Sequence, residues 1–258
     1  MRFSVLASGS KGNALYVETE NTKVLIDAGI SCRELIRRLH SIDVDADHLD
    51  ALIITHEHSD HIRGAGPISR RFDIPVYMNA PTFKKSLKNL GKISRPVTIQ
   101  TGQAIPINDL LVETFTKCHD AVDPIGLTIS SNDSKMCILT DHGRSTMMIE
   151  ERIAGCQALI VEFNHDPEML DQGPYPLSLK RRIKGPEGHL SNQQAGDLLK
   201  SVSCSSLSRV LLAHLSDKNN HPDKAYEEAC KVLEECCIKD VEIILTRQDE
   251  PTRLIDIC

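Results

Sequence analysis

Apolar and polar positions follow one another along the chain in a pattern that predicts alternating strands and helices. Short apolar runs between polar or glycine-containing turns predict strands, and apolar residues at helical spacing predict helices. We expect strands near residues 2–7, 14–19, 23–27, 51–55, 75–78, 97–100, 110–117, 126–131, 135–140, 157–162, 208–213 and 241–246. We expect helices near residues 31–40, 61–72, 81–90, 145–152, 176–184, 191–202 and 222–236. The stretch 166–188, which includes one of these helices, is rich in Pro, Gly and Tyr and looks like an irregular insertion.

Four of the predicted strands end in an ionisable residue. These residues are Asp27, His56, Asp141 and His214. His119 is a fifth candidate, because it follows the alternating run 111–118. Loops at strand ends carry the chemistry of many α/β proteins, so we expect these side chains to meet in one site.

The loop that follows the strand near 51–55 has the composition of a metal site. It holds three histidines and an aspartate, namely His56, His58, Asp60 and His61. His56 and His58 are two residues apart, so an extended segment directs both imidazoles to one side. Asp60 and His61 then reach a neighbouring point, which leaves room for two cations. A solvated polar loop is the alternative, but such loops seldom concentrate ligand residues behind a buried strand.

The run Thr55 to His61, with Asp27 before it and His119, Asp141 and His214 after it, resembles the metal motif set of the metallo-β-lactamase fold superfamily. The resemblance implies an α/β fold of four layers, an αββα sandwich. It also implies two divalent metal ions, for which Zn, Mn and Fe are all suitable. One ion would bind His56, His58 and His119, the other would bind Asp60, His61 and His214, and Asp141 would bridge both. Asp27 would accept a hydrogen bond that fixes a ligand loop.

Further segments resemble the YycJ/WalJ branch of this superfamily, bacterial proteins described as DNA exonucleases. They are Ser8 to Asn13, Asn164-His165-Asp166, Gly188 to Asn192 and Ala213 to Ser216. The branch implies 5′ to 3′ hydrolysis of double-stranded DNA by a metal-bridging hydroxide, with Asp60 in the catalytic set. The segment from His189 also resembles the histidine segment of tRNase Z, so we expect His189 to assist the leaving oxygen, with His165 as the second candidate.

Other functions of the same fold stay open at this point. The main alternative is a hydrolase of small molecules such as thioesters, lactones, lactams or cyclic phosphodiesters. A redox di-iron protein would carry Glu at the position of His58, and a non-catalytic relative would have lost ligands. The remaining histidines, His40, His48, His142 and His221, have no motif and are expected at the surface. For His165, a solvated position at a helix start is the alternative.

A net charge of −6 argues against a broad nucleic-acid-binding surface. Two basic clusters nevertheless predict local contacts with DNA phosphates. The first consists of Lys180, Arg181, Arg182 and Lys184, and the second of Lys84, Lys85 and Lys88. Aromatic residues make up 3% of the chain and Trp is absent, so we expect phosphate contacts in place of base stacking.

A length of 258 residues suits one metallo-β-lactamase-like domain spanning residues 1–258. We expect no membrane segment, because no apolar stretch approaches the roughly 18 residues of a membrane span. The nine cysteines lie mostly in apolar segments without C-x-x-C pairs, which predicts reduced thiols and a cytoplasmic location. The sequence leaves the oligomeric state and the identity of the metal undetermined.

Overall fold

The computed structural model of the protein describes residues 1–202 and 206–257. Fourteen strands are present within these residues: β1 (Arg2–Ala7), β2 (Ala14–Glu18), β3 (Lys23–Ile26), β4 (Ala51–Ile53), β5 (Pro75–Asn79), β6 (Arg95–Ile99), β7 (Ala104–Ile107), β8 (Leu110–Thr116), β9 (Ile125–Ser131), β10 (Ser134–Leu139), β11 (Ala158–Glu162), β12 (Arg209–Ala213), β13 (Glu242–Leu245) and β14 (Ile255–Asp256). The helices of the same residues are α1 (Cys32–His40), α2 (Ser59–Ile62), α3 (Ala65–Phe72), α4 (Ala80–Leu90), α5 (Met147–Ile153), α6 (Pro167–Gln172), α7 (Leu177–Lys184), α8 (Asn192–Val202), α9 (Pro222–Glu235) and a 3-10 turn at Ala46–His48.

The strands form two sheets of seven among the described residues. The order of the first sheet is β14-β1-β2-β3-β4-β5-β6, and that of the second is β13-β12-β11-β10-β9-β8-β7. Strands β3 to β6 pair in parallel, as do β10 to β13, and hairpins supply the antiparallel pairs. Parallel neighbours end at the same edge of a sheet. The residues after β3 and β4 therefore share one edge, and those after β10, β11 and β12 share the corresponding edge of the other sheet.

Alternation of side chains along the strands separates three apolar layers. Val24 and Ile26 of β3 join a cluster that also contains inward residues of the second sheet, such as Ile138. Leu25 points the other way and packs with α1 and α3, and Leu139 packs with α5 and α8 on the far side of the second sheet. Two sheets thus enclose one core and each carries its own helical layer. The predicted αββα sandwich is confirmed.

The prediction of one continuous helix over 61–72 is wrong, because the structure has two helices there, α2 and α3. The break falls at Gly64, whose amide donates to the carbonyl of Ala28 at 2.6 Å. A Cβ at Gly64 would lie 2.3 Å from the carbonyl oxygen of Ile30. The close approach of two backbones, which only glycine allows here, turns the chain between the two helices.

The prediction of an irregular insertion over 166–188 is also wrong. Asp166 caps α6 by accepting a hydrogen bond from the amide of Met169 at 2.9 Å, with Pro167 in the first turn. A second helix, α7, follows after a short turn. Strands β7 and β14 were not predicted, since β7 is a short edge strand containing Pro106 and β14 has two residues. Within the described parts of the chain, no helix combines the length and the apolar character needed to cross a membrane.

Candidate metal centre

Three strand ends adopt a backbone conformation that residues other than glycine seldom use. Asp27 directly follows β3, His214 directly follows β12, and Asp141 is the second residue after β10. Their φ angles are 57°, 56° and 54°. Strain of this kind costs roughly 1–3 kcal/mol at each position and tends to occur at functional sites. The three residues lie among the side chains that the sequence analysis assigned to one site.

One histidine cluster forms around His56, His58 and His119. A ligand atom from each of the three lies within 4.8 Å of the others. Nε2 of His119 is 3.2 Å from Nδ1 of His58, and the rings of His56 and His58 are 4.7 Å apart. His56 is fully buried, and its Nε2 has no hydrogen-bond partner. The loop after β4 and the segment after β8 therefore meet, as predicted.

Asp141 connects this cluster to a second one. Its carboxylate lies 3.1 Å from Nε2 of His61, 3.4 Å from Nδ1 of His214 and 4.0 Å from Nε2 of His119. Asp141 belongs to two groups whose ligand atoms lie within 4.8 Å of one another. They are the set His56, His61 and Asp141 and the set Asp141, Glu162, His189 and His214.

The atoms left without hydrogen-bond partners fit a divalent cation. Nε2 of His56 and Nε2 of His214 are buried and have no hydrogen-bond partner among the described residues, and Oδ2 of Asp141 has no well-oriented one there, although Nε2 of His61 lies 3.1 Å from it. Buried polar atoms without partners cost free energy, so their presence in one place indicates a missing partner of positive charge. Imidazole nitrogens and carboxylate oxygens are common ligands of Zn, Mn and Fe. The donor set therefore matches a divalent metal ion.

Asp27 supports the ligand loop from beneath, as the resemblance implied. Its carboxylate accepts hydrogen bonds from the amide and the hydroxyl of Thr55, both at 2.8 Å, and from Nδ1 of His61 at 2.7 Å. A carboxylate only accepts, so Nδ1 of His61 carries the proton and Nε2 is left for Asp141 or a metal.

Glu162 is the residue of this site that the sequence analysis missed. It ends β11, is fully buried, and accepts from Nδ1 of His189 at 2.7 Å and from Nδ1 of His214 at 2.8 Å through Oε1. Its Oε2 accepts from the amide of His142 at 2.8 Å. The signal was present in the sequence, because Glu162 ends a buried apolar run as Asp27 and Asp141 do.

Burial and nearby carboxylates divide the histidines into two groups. Burial lowers the pKa of His56 well below its usual value and the pKa of His119 to about 4. Burial also disfavours the charged form of His61, but Asp141 and Asp27 outweigh it and raise the pKa to about 10. Asp141 and Glu162 outweigh burial in the same way at His214 and raise its pKa to about 9. Without metal, two imidazolium groups thus offset part of the charge of the three buried carboxylates, which are Asp27, Asp141 and Glu162.

Asp60 lies at the border of the centre. Its Oδ2 is 3.8 Å from Nε2 of His61 and 3.4 Å from the side-chain amide of Asn13. The backbone carbonyl of Asp60 accepts from the amide of Asn13 at 2.7 Å, which ties the ligand loop to the turn after β1. Ser8 of the same turn accepts from the amide of His214 at 2.7 Å. This turn therefore supports two candidate ligands from outside.

His189 and His165 occupy different surroundings. The ring of His189 lies 5.3 Å from that of His119 and 5.2 Å from that of His214, and it lines an open cleft. His165 is buried, its Nδ1 has no hydrogen-bond partner, and it is not among the residues that line this cleft. The solvated alternative for His165 is therefore wrong.

The surface position predicted for His142 is also wrong. Its side chain is fully buried beside the second cluster. There its Nδ1 accepts a hydrogen bond from the amide of Cys118 at 3.3 Å. Burial lowers its pKa to about 4. His40, His48 and His221 are exposed, as predicted.

The basic cluster on α7 is partly neutralised within the chain. Arg182 pairs with Asp120 at 2.5 Å, and Lys184 pairs with Asp171 at 2.5 Å. Lys180 donates to the backbone carbonyl of Asp171 at 2.7 Å. Arg181 is exposed and forms no ion pair with a described residue. Arg182 and Asp120 also line the cleft beside His189, so part of this cluster lies at the candidate site.

Comparisons with known proteins agree with this geometry. The family model described as "Beta-lactamase superfamily domain" matches residues 22–215. The chain is 37% identical to the protein named exodeoxyribonuclease YycJ of Bacillus anthracis, over 91% of this chain and 90% of the relative. It is 34% identical to the protein named exodeoxyribonuclease WalJ of Streptococcus pneumoniae, over 99% of this chain and 98% of the relative. The crystal structure of the metallo-β-lactamase fold protein YhfI from Bacillus subtilis has a TM-score of 0.75 at 18% identity, covering 97% of this chain and 98% of YhfI, and shows the shared fold.

These matches cover most of the chain and include the histidine and carboxylate clusters. The family, together with the donor set described above, makes the protein a metal-dependent hydrolase. The chain belongs to the metallo-β-lactamase fold superfamily, in the branch that contains YycJ and WalJ.

Proposed function

We propose that the protein is a two-metal DNA exonuclease. The observation that carries the proposal is the meeting of two histidine clusters at Asp141, with buried donor atoms left unpaired, in a relative of proteins named exodeoxyribonucleases. Hydrolysis of a phosphodiester is a reaction that a pair of cations accelerates strongly. We assign double-stranded DNA as the substrate and 5′ to 3′ as the direction, on the resemblance to this branch.

In this proposal the seven predicted ligands divide between two ions. His56, His58 and His119 would hold one, Asp60, His61 and His214 would hold the other, and Asp141 would serve both. When bound, divalent cations supply the Lewis acidity that activates water and stabilises the attacking and leaving oxygens. Glu162 stays outside the ligand set, because both of its oxygens already accept hydrogen bonds. Its role is to hold the rings of His189 and His214.

His189 is the group that we assign to the leaving oxygen. Its Nδ1 donates to Glu162, which fixes the ring and leaves Nε2 to face a substrate in the cleft. The side chain is 20% exposed, so it is reachable from solvent yet held in place. To act as a general acid, His189 would have to be in the imidazolium form, giving its Nε2 proton to the leaving oxygen while Nδ1 stays bonded to Glu162. His165 lacks the access, so we do not assign it a catalytic role.

Metal binding should release protons from two of the proposed ligands. At pH 7 the metal-free protein carries a second proton on His61 and His214, because their pKa values of about 10 and about 9 lie above that pH. Each ring must lose its Nε2 proton to bind a metal, so we expect release of about two protons per chain. Calorimetric titration with Zn²⁺ in buffers of different ionisation enthalpy measures this release. Binding enthalpies that are independent of the buffer would contradict it.

Reversing Arg181 should weaken DNA binding and its dependence on salt. Arg181→Glu removes a cation that is free to contact phosphate. Each lost phosphate contact reduces the slope of the logarithm of the binding constant against the logarithm of the salt concentration by about 0.9. Lys85→Glu is the comparison variant, because it reverses one charge of the second predicted basic cluster, on α4. Fluorescence anisotropy with labelled duplex DNA at several salt concentrations measures the affinity of each variant and its dependence on salt. A larger effect of Lys85→Glu would assign the DNA contact to α4 instead.

The proposed activity is tested by digestion of DNA labelled at one end. Duplex and single-stranded DNA, each labelled at the 5′ or the 3′ end, should be incubated with the protein in Mn²⁺ or Zn²⁺. We expect the 5′ label of duplex DNA to appear first in mononucleotides, while the 3′ label stays on long fragments. Internal cuts or intact DNA would contradict the proposal. Intact DNA combined with hydrolysis of a thioester or lactone would favour the small-molecule alternative.

A further inference from the structure

Helix α7 carries an apolar face that the protein covers only in part. Among its residues none is buried. Leu179 and Ile183 are one helical turn apart and therefore share a face. Tyr175 lies outside the helix, just before the Pro176 cap, and lines the same cleft as these two residues. All three are half-buried and line the same cleft. The apolar face of an amphipathic helix normally packs on a core, so a face that lines an open cleft indicates a ligand.

The other side of this cleft belongs to the catalytic site. It is lined by His189 and His214, and by the polar residues Ser10, Asn164 and Ser216. Arg182 and Asp120 complete the lining. A molecule in the cleft therefore meets an apolar wall on one side and the candidate phosphate-cleaving groups on the other. A nucleotide matches these two sides, because it has a flat ring system at one end and a phosphate at the other.

The size of the cleft restricts what part of a nucleic acid it accepts. Its volume is about 160 Å³, below the roughly 300–1,000 Å³ of sites that enclose a drug-sized ligand. A duplex does not fit, and neither does a run of several nucleotides. The volume suits a single base, provided that this base leaves the stack, which costs on the order of a few kcal/mol and less for a base that is already unpaired, as at a frayed strand end.

We propose that this cleft binds the terminal nucleoside of a DNA strand, with the base packed on Tyr175 against Leu179 and Ile183. The inference rests on the proposed nuclease function and adds a binding site to it. Tyr175 supplies the aromatic face, and the same cleft is lined by His189 and by the proposed ligand His214, so a base held there would bring the first phosphodiester of the strand towards these groups. The low aromatic content predicted no stacking along a strand. One tyrosine at the site is nevertheless enough to stack on one base. A site that holds one terminal base would favour digestion that starts at a strand end.

Kinetics of Tyr175 variants on two matched substrates test this binding site. The first substrate is a duplex, and the second is the same duplex with an abasic tetrahydrofuran residue at the end from which digestion starts. Tyr175→Ala should lower kcat/KM on the first by roughly 10-fold, as expected for one lost base stack. Wild-type protein should lose a similar factor on the abasic end, and Tyr175→Ala should lose nothing further there. Tyr175→Phe should keep the wild-type values, because stacking needs the ring and not the hydroxyl.

Tyr226→Ala is the matched control, since Tyr226 is a tyrosine on α9 that is 42% exposed and does not line the cleft. It should behave as wild type on both substrates. An equal loss for Tyr175→Ala on normal and abasic ends, or no loss on either, would overturn the terminal-nucleoside site while leaving the nuclease function in place. Wild-type protein that degrades neither substrate would overturn the nuclease function itself. Metal content and thermal unfolding of each variant show whether the fold is retained.

Discussion

Replacing Asp141 with asparagine should remove bound metal and reduce hydrolysis by roughly 10³-fold or more, the loss expected when cation stabilisation of several kcal/mol disappears. Asp141 is buried, and its carboxylate faces His61 at 3.1 Å and His214 at 3.4 Å. Asparagine keeps the size but loses the charge and one acceptor oxygen. Because both proposed ions contact this residue, both should be affected. Metal content by plasma mass spectrometry and phosphodiester hydrolysis measure the two consequences.

Asp133→Asn provides the control for the same chemical change. Asp133 is exposed and lies just before β10, at the end of the strand opposite to Asp141. It should keep full metal content and activity.

The variant Asp60→Asn should lose one ion, because Asp60 contacts only the second ion in the proposal. Hydrolysis should be abolished as well. Full activity of a variant with one ion per chain would contradict the two-metal assignment.

Replacing His189 with alanine should lower turnover by roughly 10²- to 10⁴-fold, the range of general acid catalysis. The metal content should stay at the wild-type level, because His189 lies outside the proposed ligand set. DNA binding should also change little. A phosphodiester with a good leaving group, such as bis-p-nitrophenyl phosphate, should be affected much less, since its leaving oxygen needs no proton. Comparing kcat on the two substrates separates a proton donor from a structural residue.

His48→Ala is the corresponding control, as His48 is an exposed histidine without contacts to the centre. Two outcomes would reject the role of His189. One is loss of metal from His189→Ala, which would make the residue a ligand or a support of ligands. The other is an equal defect for good and poor leaving groups.

Much of the centre was predictable because strand ends are visible in a sequence. Asp27, His56, Asp141 and His214 each follow a buried apolar run, and parallel strands bring such ends to one edge of a sheet. The structure brings these side chains together, and His119 joins them from β8. The pairing of the strands was not predictable from periodicity, and it followed from the resemblance to the superfamily.

Two features of the site were missed, each for a physical reason. The position of Glu162 at a strand end is visible in the sequence. Its role is not, because one carboxylate accepts from two histidines that are distant in the chain, and such a network exists only in the folded protein. Of the two helices within 166–188, α7 agrees with the helix predicted over 176–184, and α6 was missed. Helix α6 has six residues, too few for a clear period, and is bordered by Pro and Gly residues. The cleft beside α7, and with it the role of Tyr175, depends on this tertiary arrangement.

The most direct test of the central claim is the location of metal ions by anomalous X-ray diffraction from crystals grown with Mn²⁺ or Zn²⁺. We expect two anomalous peaks in the centre, one bound by His56, His58 and His119 and the other by Asp60, His61 and His214, with Asp141 in contact with both. The distance between them should be about 3.5–4 Å, as in other two-metal hydrolytic sites. A single peak, or a second peak bound by residues outside this set, would contradict the account.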